Sequence, residues 1–297
     1  MITRRRLLTT LLAGTAGCVT FGGYAVAVEP RMRLTVTRND LALPGWPAHA
    51  KPLKVAMIAD LHAVEPWMPI SRIEEIVVAT NALQADVILL LGDYMSGVHF
   101  AHRVTPPREW AAVLAKLTAP LGVHAILGNH DYWWRGGPDP VVRALREVGI
   151  DVLLNQATRI DAHGHRFWIT GTESTLAGRL GAHGFVGRDD LSATLARISD
   201  DLPVLHMAHE PDLFAEVPER VALTVSGHTH GGQVGIPGVR GLIALRTGSS
   251  QRWIRGHYEV GGRHLLVSSG LGVSFLPMRF LVPPEINLVH IRSAATA

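Results

Sequence analysis

The sequence predicts an α/β domain with two β-sheets facing each other and helices on the outside. Three observations carry that expectation. From Leu53 to Leu127, apolar β-type runs alternate with helical segments, the pattern of parallel βαβ units. After Ile150 the runs shorten but keep β character, enough for a second sheet. No repeat, low-complexity tract or linker follows residue 50, so the folded body reads as one unit.

The chain starts differently. Thr3-Arg4-Arg5-Arg6-Leu7-Leu8 leads into an apolar, Gly/Ala/Thr-rich run that extends to Val28. A basic start, a modest apolar core and the small-x-small Ala25-Val26-Ala27 read as an export signal. The Thr-Arg-Arg-x-Leu-Leu pattern resembles the twin-arginine signal, which implies the twin-arginine export machinery as a partner and the periplasm or cell envelope as destination. The same run is nearly long enough to remain as a membrane anchor, so residues 1–27 are expected as signal or anchor, and a membrane surface is a possible partner. Thr15-Ala16-Gly17-Cys18 lacks the Leu of a lipidation signal.

Composition narrows the function. The formal charge is +3, from 28 basic and 25 acidic residues, but Arg4, Arg5 and Arg6 lie in the signal. Without them each sign counts 25, so no basic face is available for sequence-independent nucleic-acid binding. Cys18, the one cysteine, lies in the same segment. The mature chain therefore has no disulfide, no cysteine nucleophile and no thiolate metal site.

The elements follow in order. Residues 28–50 are mixed and Pro-rich, with Pro44-Gly45-Trp46-Pro47 as a turn, and read as an edge strand and linker before a domain at 51–297. Leu53 to Ala59 is a strand. Ile70 to Leu83 is a helix by its apolar spacing, with Ser71 as its cap. Val87 to Leu91 and Val123 to Leu127 are strands. Arg108 to Leu117 and Pro138 to Val148 are helices, the second stopped by Gly149. Then come short strands at Val152–Leu154, Thr158–Asp161 and Phe167–Thr170, a helix at Leu191–Ile198, and strands at Val204–Ala208 and Val221–Val225. The C-terminal runs at Leu242–Leu245, Trp253–Val260, His264–Ser268 and Ile286–Ile291 read as meandering strands.

The chemistry sits where the apolar runs stop. Leu53 to Ala59 ends in Asp60-Leu61-His62, Val87 to Leu91 in Gly92-Asp93, and Val123 to Leu127 in Gly128-Asn129-His130-Asp131. Val221 to Val225 ends in Ser226-Gly227-His228-Thr229-His230-Gly231-Gly232-Gln233. Residues i and i+2 of an extended chain project to one side, so His228 and His230 can share a site. In open α/β sheets, sites form at the carboxyl ends of strands, where these four motifs lie. Carboxylate, imidazole and amide oxygen suit Mn, Fe or Zn. Asp93 has a carboxylate able to bridge two ions, which describes a two-metal site.

Together with His209, these motifs resemble the calcineurin-like metallophosphoesterase superfamily, in the right order and over residues 52 to 292. The resemblance implies a four-layer αββα sandwich. One ion would be held by Asp60, His62, Asp93 and His230, the other by Asp93, Asn129, His209 and His228. His130 would be the non-ligand histidine assisting the leaving group after attack by a metal-bridging hydroxide. Asp131 is expected either to orient that imidazole or to serve as a packing or capping residue. Between His206 and His209, which have opposite parity on their strand, the family pattern His-x-Pro-Asp matches His209-Glu210-Pro211-Asp212.

Departures narrow the family. Gly92-Asp93-Tyr94-Met95-Ser96-Gly97 lacks the second Asp and the Arg of protein Ser/Thr phosphatases, and Tyr94 is misplaced for a purple-acid-phosphatase ligand. Gly227-His-Thr-His-Gly-Gly-Gln233, Ser269-Gly270-Leu271-Gly272, Leu276-Pro277-Met278-Arg279 and Pro284-Glu285-Ile286 resemble the twin-arginine-exported bacterial phosphodiesterases. This implies a small-molecule or lipid-linked phosphoester substrate, with Arg279 as a candidate contact to it. The alternatives are a pyrophosphohydrolase of nucleotide-linked acyl sugars, a phosphomonoesterase, and a metal-binding envelope protein without turnover. Trp67, Trp133, Trp134, His99, His102 and Arg103 lie on nearby loops, where ordinary packing or solvation is the default reading.

Overall fold

The computed structural model describes residues 20–97, 101–180, 184–238 and 252–294. The expected segments at 1–19, including the Arg4–Arg6 run and Cys18, and those at His99 and Leu242–Leu245 lie outside the described residues. No helix among the described residues is long and apolar enough to cross a membrane.

Two six-stranded sheets form the body. The first runs β1-β16-β2-β4-β6-β7, from strands β1 (Thr35–Leu43), β2 (Leu53–Ile58), β4 (Val87–Leu90), β6 (Val123–Ala125), β7 (Asp151–Val152) and β16 (Glu285–Ser293). The second runs β14-β15-β13-β12-β9-β8. Its strands are β8 (Gln156–Ala162), β9 (His165–Gly171), β12 (Val204–Met207), β13 (Val221–Ser226), β14 (Gly256–Val260) and β15 (Arg263–Val267). Two hairpin-like pairs, β3 (Val64–Glu65) with β5 (Arg103–Val104) and β10 (Gly178–Leu180) with β11 (Gly184–Val186), stand beside the body.

The period of two along each strand sorts the core into layers. In β2, Val55 and Met57 join Val87, Leu89, Phe167, Ile169, Met207 and Val225 between the sheets. Ala56 and Ile58 point the other way, onto Ile73, Ile76, Trp110 and Leu114 of helices Ile70–Ala82 and Pro107–Leu114. Both faces of the strand are buried beyond the exposed Lys54, which explains its apolar run from Val55 onward. Each fully buried aliphatic side chain contributes about 1.5–3 kcal/mol. On the far face of the second sheet, Trp168, Phe214, Trp253 and Leu265 make a third cluster.

Two features differ from expectation. Pro69, not Ser71, is the N-cap of helix Ile70–Ala82, since Pro69 is extended and Ser71 already lies in the first turn. The C-terminal strands are not a meander: β15 pairs parallel with β13, and β16 crosses to the first sheet to lie between β1 and β2. Within residues 28–50, Thr35–Leu43 is an edge strand that pairs with β16 over nine residues.

The chain ahead of β1 is docked as well. Tyr24–Val28 and Glu29–Met32 are helical. The Ala25 carbonyl accepts the Arg279 N–H at 2.8 Å, and the Glu29 carboxylate accepts the N–H groups of Leu281 and Val282 at 3.0 and 2.6 Å.

Candidate metal centre

The four motif loops meet at the carboxyl ends of β2, β4, β6 and β13. They are cross-tied by their own backbones: His62 N–H donates to the Asp93 carbonyl at 2.9 Å, and Asp60 N–H to Gly92 at 3.1 Å. Five residues of these loops, Asp60, His62, Asp93, His228 and His230, adopt left-handed backbone with φ between 45° and 70°. That conformation costs a non-glycine residue about 1 kcal/mol or more and persists where the surroundings over-determine it. Here it lets the ligand side chains beyond β2, β4 and β13 face one another. Gly128 makes room for them: a Cβ there would lie 2.2 Å from Asp93 Oδ1 and 2.5 Å from His209 Cε1.

The side chains fall into two clusters, Asp60–His62–His230 and Asp93–His209–His228, each with its ligand atoms within 4.8 Å of one another. In the first, His62 Nε2 and His230 Nε2 are 3.0 Å apart. His62 Nδ1 donates to the Met95 carbonyl at 2.7 Å, which turns its Nε2 lone pair inward. In the second, His209 Nδ1 donates in the same way to Leu91 at 2.7 Å, and Asn129 Oδ1 lies 2.8 Å from His228 Nδ1. Asp93 Oδ2 stands between them, 3.5 Å from His62 Nε2 and 3.3 Å from His209 Nε2. All seven expected ligands are buried and converge. His206 is directed elsewhere, its Nδ1 2.9 Å from the Thr170 hydroxyl.

The electrostatics of the two clusters favour bound positive charge. Burial raises the Asp60 carboxyl to about 7, against the pull of His209. Burial also acts on Asp93, yet the charges of His209 and His130 hold it well below the usual carboxylate range. Desolvation drops His62 to about 3. Two buried carboxylates this close ionise together only when positive charge is supplied between them. Inward lone pairs, fixed tautomers and a hard-to-borderline donor set all fit a pair of cations.

Four further residues build the site. Of the roles expected for Asp131, it takes the capping one and does not orient His130. Its carboxylate accepts the backbone N–H groups of Asp93, Tyr94, Met95 and Gly128 at 2.9–3.0 Å, so it caps the loop that presents Asp93. Its adjacency to the Gly-Asn-His motif was the available signal. Ser274 Oγ lies 3.5 Å from His130 Nε2. Trp133 packs on His130 with ring centroids 5.0 Å apart, and the Arg179 guanidinium stacks over Trp133 at 3.9 Å. Nothing in the pattern around Arg179, on a short exposed strand, marked it.

His130 itself is no member of either cluster. Its ring meets the His62 ring edge-on at 4.9 Å, and its backbone N–H donates to Asp93 Oδ1 at 2.8 Å. Burial lowers its proton affinity despite the attraction of Asp93.

Arg279 is not where a substrate contact would be. It is completely buried, donating to the carbonyls of Gly272, Ser269 and Val282 at 2.8, 2.8 and 3.1 Å, with Nη2 3.3 Å from His230 Nδ1. The guanidinium braces the loops behind the first cluster, because three carbonyls converge there with no other donor. Among the loop residues, Trp67 donates to the Val26 carbonyl at 3.2 Å, His102 is exposed, and Arg103 is paired with Glu109 at 2.6 Å.

Comparison with known proteins adds the following. The sequence model of the family described as calcineurin-like phosphoesterase matches residues 53–232. The chain is 30% identical to the phosphodiesterase YaeI of Escherichia coli (strain K12), over 98% of this chain and all of that one (100%). It is 29% identical to YkuE of Bacillus subtilis (strain 168), an uncharacterized metallophosphoesterase, over 98% of both chains. The solved structure of the phosphopantetheinyl hydrolase PptH from Mycobacterium tuberculosis aligns with a TM-score of 0.43 at 14% identity, covering 75% of this chain and 89% of that one.

Proposed function

Because the chain belongs to the calcineurin-like phosphoesterase family, we propose that it hydrolyses phosphodiesters with two metal ions, Mn, Fe or Zn, held by the seven buried ligands. Asp60, His62 and His230 would hold one ion, Asn129, His209 and His228 the other, and Asp93 both. Bound there, the ions would supply charge neutralisation at the phosphoryl oxygens and a water acidic enough to react at neutral pH.

The observation that carries a hydrolytic reading, rather than metal capture, is His130. A storage site has no use for a non-ligand imidazole against the cluster edge. Burial lowers the proton affinity of this ring. An anionic phosphate bound close by raises it, so the ring takes up a proton in the complex and, as imidazolium, gives it to the leaving oxygen and returns to neutral imidazole. The Asp93 carboxylate, gripping the His130 backbone N–H, ties that proton donor to the ligand between the clusters.

The diester preference is supported by the relative that is named a phosphodiesterase. The Thr3–Leu8 pattern supports export by the twin-arginine machinery to the cell envelope, with the N-terminal segment retained or cut. The test strips the protein of metal, restores Mn, Fe or Zn, and compares nitrophenyl phosphodiester with phosphomonoester. Metal-restored diester cleavage is expected. Two tightly bound ions without turnover of either ester would overturn the reading in favour of a metal-binding protein.

A further inference from the structure

A cavity of about 550 Å³ has His130 in its wall together with Ser96, Gly97, Trp133, Trp134, Arg179 and Phe275 among others. Its walls are aromatic and small-residue surface. Among the described residues lining it, Arg179 carries the one permanent charge. Arg279, the arginine that the motifs brought forward, is sealed behind the first cluster with its donors committed to carbonyls.

Arg179 is exposed, yet it is not loose. Its guanidinium lies 3.9 Å from the Trp133 ring centroid. Trp133 is itself fixed, stacked on Phe185 at 5.5 Å with an interplanar angle of 20° and donating its Nε1 hydrogen to the Leu176 carbonyl at 2.9 Å. A stacked guanidinium keeps its edge donors free for a planar anion while losing little side-chain entropy. The same Trp133 ring packs against His130. One indole thus spaces a proton donor at the cleaved bond from a cation further into the cavity.

We infer that Arg179 is a specificity-determining residue that recognises a second anionic group, carboxylate or phosphate, on the leaving portion of the substrate. The inference rests on the hydrolase reading above, since the leaving portion is placed beyond His130. The natural substrate is then a phosphoester whose departing half is itself an anion, not a neutral alcohol.

The test compares methyl 4-nitrophenyl phosphate with its 3-carboxylate analogue, which differ by one anion on the leaving group. The wild-type metal-loaded protein is expected to favour the carboxylate in kcat/KM. Arg179→Ala should reduce that preference about fivefold or more, chiefly through KM, and Arg179→Glu should invert it. Arg179→Lys should keep part of it, and added salt should erode it in the wild type. Metal content and melting temperature of each variant check that the fold is intact. An unchanged ratio in Arg179→Ala and Arg179→Glu overturns this inference alone. Turnover of neither ester by the wild type overturns the hydrolase reading first.

Discussion

The Nε2 atoms of His62 and His230 face each other at 3.0 Å, from rings inclined by 22° that belong to two different sheets. Two imidazole nitrogens at that separation are placed to ligate one cation together. His62→Ala is therefore expected to bind one ion per chain where the wild type binds two. Asp93→Asn, which removes the carboxylate standing between the clusters, should weaken both. Metal analysis after dialysis checks the difference, and equal stoichiometry in the two variants would refute the bridging role.

His130→Gln should retain both ions and lose turnover by about 10²–10⁴-fold, the range of a positioned proton donor. The loss should shrink for an ester whose leaving group needs no proton, such as nitrophenolate, compared with an alkyl diester. Metal content measured beside kcat decides the point, because simultaneous loss of both would make His130 a ligand.

Arg279→Ala is expected to act on stability. It strands the carbonyls of Gly272, Ser269 and Val282 in a sealed interior and leaves a cavity behind His230, at a cost of about 3 kcal/mol or more. Urea unfolding should show the loss. Were unfolding unaffected and KM raised, the residue would after all be meeting substrate.

Glu285 predicts an acid limb. Burial alone would raise its carboxyl, but Arg255 at 3.1 Å, the Thr37 hydroxyl at 2.5 Å and the Ser269 N–H at 2.8 Å hold it below the usual value. A depressed folded-state pKa contributes stability that is present above the unfolded value, about 4.3, and lost as pH falls through the folded one. Glu285→Gln should be less stable than wild type at pH 6 and show a flatter decline below pH about 4.3, read from urea midpoints.

The parts of this fold legible in the sequence are those written locally. Leu53–Ile58 and Val87–Leu90 announce themselves as doubly buried strands, and Asp60, His62, Asp93 and Asn129 stand out because each follows such a run directly. The spacing of His228 and His230 works for a different reason than parity along a strand: both sit in left-handed turns beyond the end of β13. Arg279 was illegible because its surroundings come from residues 269–282 folding back on themselves, and a lone arginine in a loop reads as a surface cation. The place of β16 depends on a partner some 250 positions earlier, which no window of sequence contains. Arg179 owes its position to Trp133, across a chain reversal that carries no pattern.

That distant partnership governs the order in which the protein can be made. Among the described residues, β16 is the strand that pairs with β1, parallel from Thr35–Glu285 to Leu43–Ser293, and it pairs antiparallel on its other side with β2. A chain emerging from the ribosome offers β1 and β2 early, but the strip that joins them arrives last. Until residue 293 has cleared the exit tunnel, both strands present open edges, and a nascent chain stopped short of β16 is a candidate for holdase binding or aggregation rather than an active fragment. The nine-residue strand Glu285–Ser293 is therefore the keystone of the first sheet.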